Sequence, residues 1–487
     1  MHPNHTSDEE RYQKLMAIAP GPASAVPAVL SYLGDSSWRV RKAAVLALER
    51  FRDDSRLVPS LVAGLASDDN AGLRNACVQA LTKMGASVTT ELVRAIDSPD
   101  PGQRKFVAEV LGAIGTPQAR DALIAHLGDP DVNVAGAVSE ALGEIGGAEV
   151  VALLKERLAG AQDVVERAYG LDALVRAGAR LPFEELLPWL AEPALARQVL
   201  ALLGLSGDAR SIAPLIDGLA SQARQTRAVA ALGLARLVDV LAAGDSAELT
   251  RVLQERTDWE APLKELLDSN DDAVAAAVAK VMAASKRPEL ASAILAAVSY
   301  RSPVALGAGL VLAMGKDAVA PLMAAFDEVD VETRVLTLEV VESLGDSSVV
   351  PALLEIAQGP DNRSAEAALR VIGKLAGIDA VQALMERAKS SDDELAHAAA
   401  MAIASVGRRH PDPVATRVLA ALAGGDERPV WPMVLGVIGR DEDCEVIARL
   451  AHHRDPAVRS AALEAAVTYG SEFPESIAIF ALADEQP

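Results

Sequence analysis

Two apolar patterns alternate along this chain. The first is a short opening in which proline sits between apolar residues, at Val26-Pro27, Val58-Pro59, Ala213-Pro214, Ala261-Pro262, Ala320-Pro321 and Val350-Pro351. Proline suits the first turn of a helix, where its missing N–H costs no intrahelical bond. The second pattern is a stripe at helical spacing. Val40, Ala44, Ala47 and Phe51 fall at i, i+4, i+7 and i+11, and Val458, Ala461, Ala462, Ala465 and Ala466 at i, i+3, i+4, i+7 and i+8, so each set shares one helix face. Leu57 to Leu65, a turn at Asp68-Asp69-Asn70 and a helix from Leu73 to Met84 make one complete predicted unit, a helical hairpin.

The unit recurs. Pro27 and Pro59 are 32 residues apart, Pro59 and Pro214 are 155, Pro321 and Pro351 are 30, and Pro351 and Pro413 are 62, all close to multiples of 31. Pro214 to Pro262, at 48, breaks the beat and predicts an extra segment at about 241–258. Glycine closes many units, as in Leu111-Gly112-Ala113-Ile114-Gly115, Leu142-Gly143-Glu144-Ile145-Gly146, Leu344-Gly345 and Ile438-Gly439, where a left-handed cap tolerates no Cβ cheaply. A period of this size marks a stacked array, because one small hairpin cannot bury its apolar stripe alone.

Aspartates in the turns are followed by Val or Leu and Arg: Asp35 with Val40-Arg41, Asp69 with Leu73-Arg74, Asp100 with Arg104, and Asp455 with Val458-Arg459. On these residues the chain resembles the HEAT repeat family, in the short bacterial form related to phycobilin-lyase repeats, over about residues 21–474. Ala135 stands where the period predicts Arg, and residues 181–208 and 292–316 lack the Asp and Arg pair. The resemblance implies an all-α fold, an α-solenoid of about fourteen hairpins wound as a right-handed superhelix, with second helices lining its concave surface. It also implies a ladder in which the Arg of one unit bonds the turn of a neighbour. The expected organisation is a polar segment with a short capping helix at 1–20, an N-terminal array at 21–240, an irregular connecting unit at 241–260 and a C-terminal array at 261–487.

Composition agrees with helices. Hydrophobic residues make up 51% and aromatics only 3%, so Ala, Leu and Val supply the apolar bulk and the residues that pleated sheets favour are scarce. The net charge of −22 repels phosphate backbones and anionic lipid heads, which argues against a nucleic-acid partner. No window of about 18 uncharged apolar residues occurs, so no membrane insertion is expected. Cys77 and Cys444 form no metal-like or redox-like spacing, and Met1 to Pro20 holds no apolar run of signal-peptide length. A cytoplasmic location is the expectation, and the sequons at Asn4 and Asn362 then carry no weight.

Candidates for chemistry are few. His452 and His453 follow Cys444 closely, but three ligands without a fourth make a weak metal pattern, and an ordinary turn is the plainer reading. His126, His397 and His410 stand alone, and none is followed by Glu, whereas deoxyhypusine hydroxylase, a metal enzyme of similar repeats, depends on His-Glu pairs. The run from Gly307 to Leu312 lacks the third glycine of a dinucleotide fingerprint and reads as a tight helix contact. The dispersed Trp38, Trp189, Trp259 and Trp431 read as packing or capping residues. No catalytic, cofactor or metal residue is therefore expected.

Periodic charge is more informative. Glu109, Glu339 and Glu464 lie five residues after Arg104, Arg334 and Arg459, and Glu140 lies 31 after Glu109. Five residues turn a helix by about 140°, so each Glu faces away from its own Arg. A merely solvated face is one reading. The functional one is an acidic stripe, Glu109, Glu140, Glu144, Glu339, Glu342 and Glu464, that steers a basic partner. The first unit is basic, with Arg39, Arg41, Lys42, Arg50 and Arg52, while residues 1–250 carry net −7 and residues 251–487 net −15. The expected function is a non-enzymatic scaffold or adaptor holding a partner protein, or a basic segment of it, on the concave face. The alternative is an enzyme or enzyme subunit related to bilin lyases that acts with a partner chain.

Overall fold

A computed structural model of the chain describes residues 7–20, 25–67, 69–268, 271–298 and 304–467. The remaining positions, among them Asp68 of the predicted turn and the Asn4 sequon, lie outside the described residues. Everything described is helix or connecting turn, with no strand among the described residues. The contacts divide the chain into two compact units, Met1–Leu241 and Ala242–Pro487.

The first unit begins with a lone helix, α1 (Asp8–Met16), and continues as seven hairpins. These are α2 (Ala25–Ser31) with α3 (Trp38–Ala47), α4 (Leu57–Gly64) with α5 (Ala71–Met84), α6 (Thr89–Ala95) with α7 (Pro101–Ile114), and α8 (Pro117–Ala125) with α9 (Val132–Ile145). After them come α10 (Ala148–Gly160) with α11 (Val164–Arg176), α12 (Phe183–Leu190) with α13 (Ala196–Ser206), and α14 (Ile212–Leu219) with α15 (Arg224–Val240).

The second unit has the same plan. A lone helix α16 (Ala243–Glu255) precedes α17 (Glu260–Lys264) with α18 (Asp272–Ala284), α19 (Ala291–Val298) with α20 (Val304–Met314), and α21 (Val319–Ala324) with α22 (Val331–Leu344). Then follow α23 (Val350–Ile356) with α24 (Asn362–Leu375), α25 (Val381–Arg387) with α26 (Asp393–Arg409), α27 (Pro411–Ala423) with α28 (Val430–Ile438), and α29 (Cys444–Leu450) with α30 (Pro456–Ala466). In each unit the lone helix packs on the second helix of the first hairpin, α1 on α3 and α16 on α18. The 48-residue step from Pro214 to Pro262 contains α16.

Local sequence explains these elements. Pro27, Pro59, Pro214, Pro262, Pro321 and Pro351 all fall within the first turn of a hairpin's first helix. Second helices are opened by side-chain caps: Asn70, Asp100, Asp131, Asp163, Asp271, Asp330, Asp392 and Asp455 each accept an N–H of the following turn, worth about 1 kcal/mol apiece. The apolar stripe then packs each second helix against its own first helix and the next second helix, and Val40, Ala44, Val458 and Ala462 are completely buried. The two hairpins over 181–208 and 292–316, which lack the Asp and Arg pair, form all the same.

Glycine does two jobs here, the capping read from the sequence and the close helix contact expected there only for the run from Gly307. Gly115 and Gly345 are left-handed caps at φ +66° and +68°. Gly112, Gly143, Gly373 and Gly436 instead mark the crossing of successive second helices. A Cβ on Gly112 would lie 2.7 Å from the Cα of Ala141, one on Gly143 3.0 Å from that of Ala173, one on Gly373 2.9 Å from that of Ala402, and one on Gly436 2.7 Å from that of Ala465. Gly204 meets Gly233 in the same way. These are the points where backbones touch, and no larger residue fits at such a separation.

The expected arginine ladder is corrected in part. Arg41, Arg74, Arg104, Arg227, Arg334 and Arg459 each stand at the fourth position of a second helix, and each donates to backbone carbonyls of its own hairpin's turn, at 2.5–3.3 Å. They close the C-terminal end of the first helix, whose last carbonyls lack intrahelical partners and whose dipole favours a cation. Rungs to the next hairpin include Arg11 to Asp35 at 2.8 Å and Arg104 to Asp129 at 2.8 Å through both Nε and Nη2. The hydrogen bond from Arg104 holds the Asp129 carboxyl below the usual carboxylate range.

One stretch, Val304–Ala324, is long and apolar enough to span a membrane, with mean hydropathy 1.4. Gly315, at φ +74°, separates it into α20 and α21, with Lys316 and Asp317 exposed between them.

Candidate functional site

The second helices carry the chain's most organised polar surface. Stacked in register, they bring residues one period apart side by side. Glu49 pairs with Lys83 at 3.0 Å, Glu140 and Glu144 with Arg176 at 3.7 and 3.4 Å, and Glu339 and Glu342 with Arg370 at 3.7 and 3.2 Å. Lys374 also pairs with Glu342.

The six glutamates singled out in the sequence therefore differ in state. Glu109, Glu140 and Glu144 are neighbours on α7 and α9, where burial pushes the Glu109 carboxyl up against the pull of Lys105, and Glu144 and Glu140 raise it further. Glu339 and Glu342 share α22 and are both paired. Glu464 is exposed on α30. Four of the six thus form ion pairs.

Along α22, α24 and α26 the surface opens into a groove of about 840 Å³. Val335, Ala367, Ala398, Met401 and Ala402 form its apolar floor, and Met401 is 43% exposed. The close crossing at Gly373 and Ala402 holds α24 and α26 together beneath it.

Most of its charges follow the helix ends. Glu366, Asp393 and Glu394 stand toward the helix starts, and Arg370, Lys374 and Arg408 toward the helix ends, the distribution that helix dipoles favour; Arg363, at the second position of α24, is the exception. Arg363 is tied to Glu332 at 2.5 Å, and Arg370 and Lys374 to α22. Glu366, Asp393, Glu394 and Arg408 are exposed and make no ion pair among the described residues. After pairing, three carboxylates and one guanidinium remain, with the exposed imidazole of His397 between them. Such a surface offers both shape and charge to a chain segment.

The sequence singled out none of Glu366, Asp393, Glu394 and Met401 as site residues. A signal was present: Glu394, Ala398, Met401, Ser405 and Arg408 recur at three- and four-residue steps, a single exposed ridge on an otherwise alanine-rich helix.

The other candidates are placed as follows. His453 is engaged, with Nε2 2.9 Å from Glu427 and Nδ1 accepting the Asp455 N–H at 3.1 Å. Cys77 is buried, its thiol pushed up to about 12 by burial. Among the described residues no three metal-type ligands converge. Trp259 and Trp431 are fully buried, whereas Trp38 is 66% exposed and so is not a packing residue.

No curated protein matches the sequence. Solved structures with a similar fold include importin β crystallised in ammonium sulfate, 12% identical at a TM-score of 0.40 over 99% of this chain and 81% of that one. Kap95p bound to RanGDP is 15% identical at 0.47 over 95% and 71%, and Kap121p bound to Ste12p is 13% identical at 0.43 over 97% and 54%. The family model for HEAT repeats matches residues 4–82, 89–174, 319–404 and 350–430. Those matches take in more than half of the chain, and with a hairpin array in both units it belongs to the HEAT repeat family.

Proposed function

We propose that this protein is a non-enzymatic, cytoplasmic scaffold or adaptor, and that the groove over α22, α24 and α26 holds a basic segment of a partner protein. The observation that carries the reading is the residual charge of the groove. Its cations are largely consumed by Glu332, Glu339 and Glu342, while Glu366, Asp393 and Glu394 remain open to a partner beside the exposed Met401. An apolar centre within a polar rim is the usual anatomy of a protein-binding patch.

In this reading the exposed Glu464 adds to the net negative charge that raises the encounter rate, while Glu140, Glu144, Glu339 and Glu342 are spent on neighbouring hairpins and burial disfavours the charged form of Glu109. The unpaired acids beside Met401 fix the bound register. The same acidic field disfavours nucleic acid and anionic membranes as ligands.

The test is photo-crosslinking from a reactive residue placed at Met401, with a second at the exposed Gln382 on α25 as the control. Met401 is expected to crosslink to a partner polypeptide at a basic stretch identified by mass spectrometry, with the yield falling in Glu366→Lys and Glu394→Lys variants. Equal crosslinking from Gln382, or indifference to the charge reversals, refutes the assignment.

A further inference from the structure

In the first unit, Trp38, Lys42 and Leu46 form one ridge of α3 at four-residue steps. Trp38 is 66% and Leu46 54% exposed, and the Lys42 ammonium lies 5.7 Å from the centre of the Trp38 ring. Exposing an indole to water forfeits the stabilisation that burial would give, and Trp259 and Trp431 in the same chain are fully buried.

Beside this ridge lies a groove of about 510 Å³, lined by Trp38, Arg41 and Lys42 on one side, Asn75 and Gln79 of α5 beneath, and Glu109 of α7 beyond. Gly72 leaves room for the Arg41 side chain, which a Cβ there would meet at 3.2 Å. Arg41 is fixed by its turn carbonyls at 2.7 and 3.0 Å. Its charge is therefore built into the wall.

We infer that this groove is a second docking site, and that it takes an acidic, extended segment of a partner protein lying along α5 with an apolar side chain against Trp38. Charge complementarity argues for the occupant. Lys42 makes no ion pair among the described residues, Arg41 adds a second cation to this wall, and Lys105, outside the lining, acts on Glu109. Glu109 is the acid lining the groove, and its burial disfavours the charged form. The groove is thus locally basic in a chain of net charge −22.

The amides argue for an extended backbone. Asn75 and Gln79 are exposed, one turn apart, and without a hydrogen-bond partner among the described residues. Their Cβ atoms are about 6 Å apart on the helix, close to the roughly 6.6 Å two-residue repeat of an extended chain. Each carboxamide both donates and accepts, so the pair is matched to alternate peptide groups of one strand. A single-stranded nucleic acid would also stack on an indole. The two carboxamides, spaced for alternate peptide groups, favour a polypeptide over it.

The site is read by Trp38 itself, because it is the most exposed indole. In the full chain, acrylamide quenching of tryptophan emission is measured with three probes: a pool of peptides of about eight residues built from Asp, Glu, Leu, Phe and Pro, the same pool with Lys in place of the acids, and a single-stranded oligodeoxythymidine. The acidic pool is expected to protect the exposed indole with a Kd at least about tenfold lower than the basic pool. Lys42→Glu and the double variant Asn75→Ala/Gln79→Ala are each expected to remove that protection while melting like the parent.

Absence of protection by the acidic pool overturns the inference, as does equal protection by the basic pool or the oligonucleotide, or retention of binding by Lys42→Glu. The measurement involves no residue of the α22, α24 and α26 groove, so its failure leaves that reading untouched, and the reverse holds too.

Discussion

The helix crossings yield the sharpest test, because one substitution is expected to act with opposite signs at two glycines. In an exposed helix interior Gly→Ala stabilises by about 0.5–1 kcal/mol. Gly309, exposed on α20, has nothing within 4 Å of an added Cβ, so Gly309→Ala should show that gain. At Gly112 the added Cβ would lie 2.6 Å from the Cβ and 2.7 Å from the Cα of Ala141, whereas carbon atoms prefer about 3.8 Å. Relieving the overlap requires α7 and α9 to part by about 1 Å. A gap of that size forfeits up to half of each contact's dispersion energy, and three facing side chains with about 50 contacts each at ~0.15 kcal/mol stand to lose up to about 10 kcal/mol if nothing relaxes. Measured overpacking costs, in which neighbours do relax, are nearer 1–3 kcal/mol and occasionally more. After crediting the helical gain, Gly112→Ala should destabilise by about 0.5–2.5 kcal/mol. For a unit of this size that lowers its melting midpoint by roughly 1–10 °C, read by calorimetry and far-ultraviolet circular dichroism. If Gly112→Ala melts at or above the parent, as Gly309→Ala should, the close-crossing argument is wrong.

Three further outcomes follow from burial and charge. Ala462 is fully buried on α30, so Ala462→Asp should cost several kcal/mol, on the order of an unpaired buried charge, and a neutral denaturation curve would place that face outside the core. The Asp129 carboxyl is held low by Arg104, so its contribution to stability is present above the unfolded value near 4 and is lost as pH falls through the lower folded value; Arg104→Ala should abolish that slice of acid sensitivity, and an unchanged pH profile would count against the rung. Asp443 is buried with neither carboxylate oxygen hydrogen-bonded, and burial pushes its carboxyl up in spite of Arg440. Stability from this group therefore falls as pH rises from the unfolded value through the folded one. Asp443→Asn should flatten that slope and melt no lower than the parent at neutral pH, since Arg440 keeps Asp412 and Glu442; a clear loss of stability there would show that the ionised pair is net favourable.

The hairpins were legible because their code is local and repeated. A proline in a first turn, a cap before a second helix and a stripe at helical spacing each act within a few residues, and one repeat spells out the next. The extra helix α16 registered only as a misfit in spacing, since Ala243 to Glu255 carries neither opening proline nor cap. The arginines were legible as a position but not as a bond. Arg41 and Arg459 reach back five and six residues to their own turn carbonyls, and main-chain acceptors leave no mark in a sequence.

The charged face was harder for a related reason. Spacing along one helix shows which side a glutamate faces, but its partner sits one hairpin away: Arg370 is 31 residues beyond Glu339, and Lys374 is 32 beyond Glu342. The signal is a carboxylate followed by a cation at the period of the fold, and it becomes visible only once the period is trusted as a distance in space. Pairing then changes what the charge does. A paired Glu342, 14% exposed between two cations, binds neighbouring hairpins to each other and offers little to a ligand, because its field is cancelled within a few ångströms. Local recognition therefore falls to the few groups that the stack leaves unanswered. In the second unit these are Glu366, Asp393 and Glu394 around Met401, and in the first they are Lys42 and two carboxamides around Trp38. In the proposed readings the net charge of the chain governs approach, and these residues, of opposite sign in the two units, govern what stays bound.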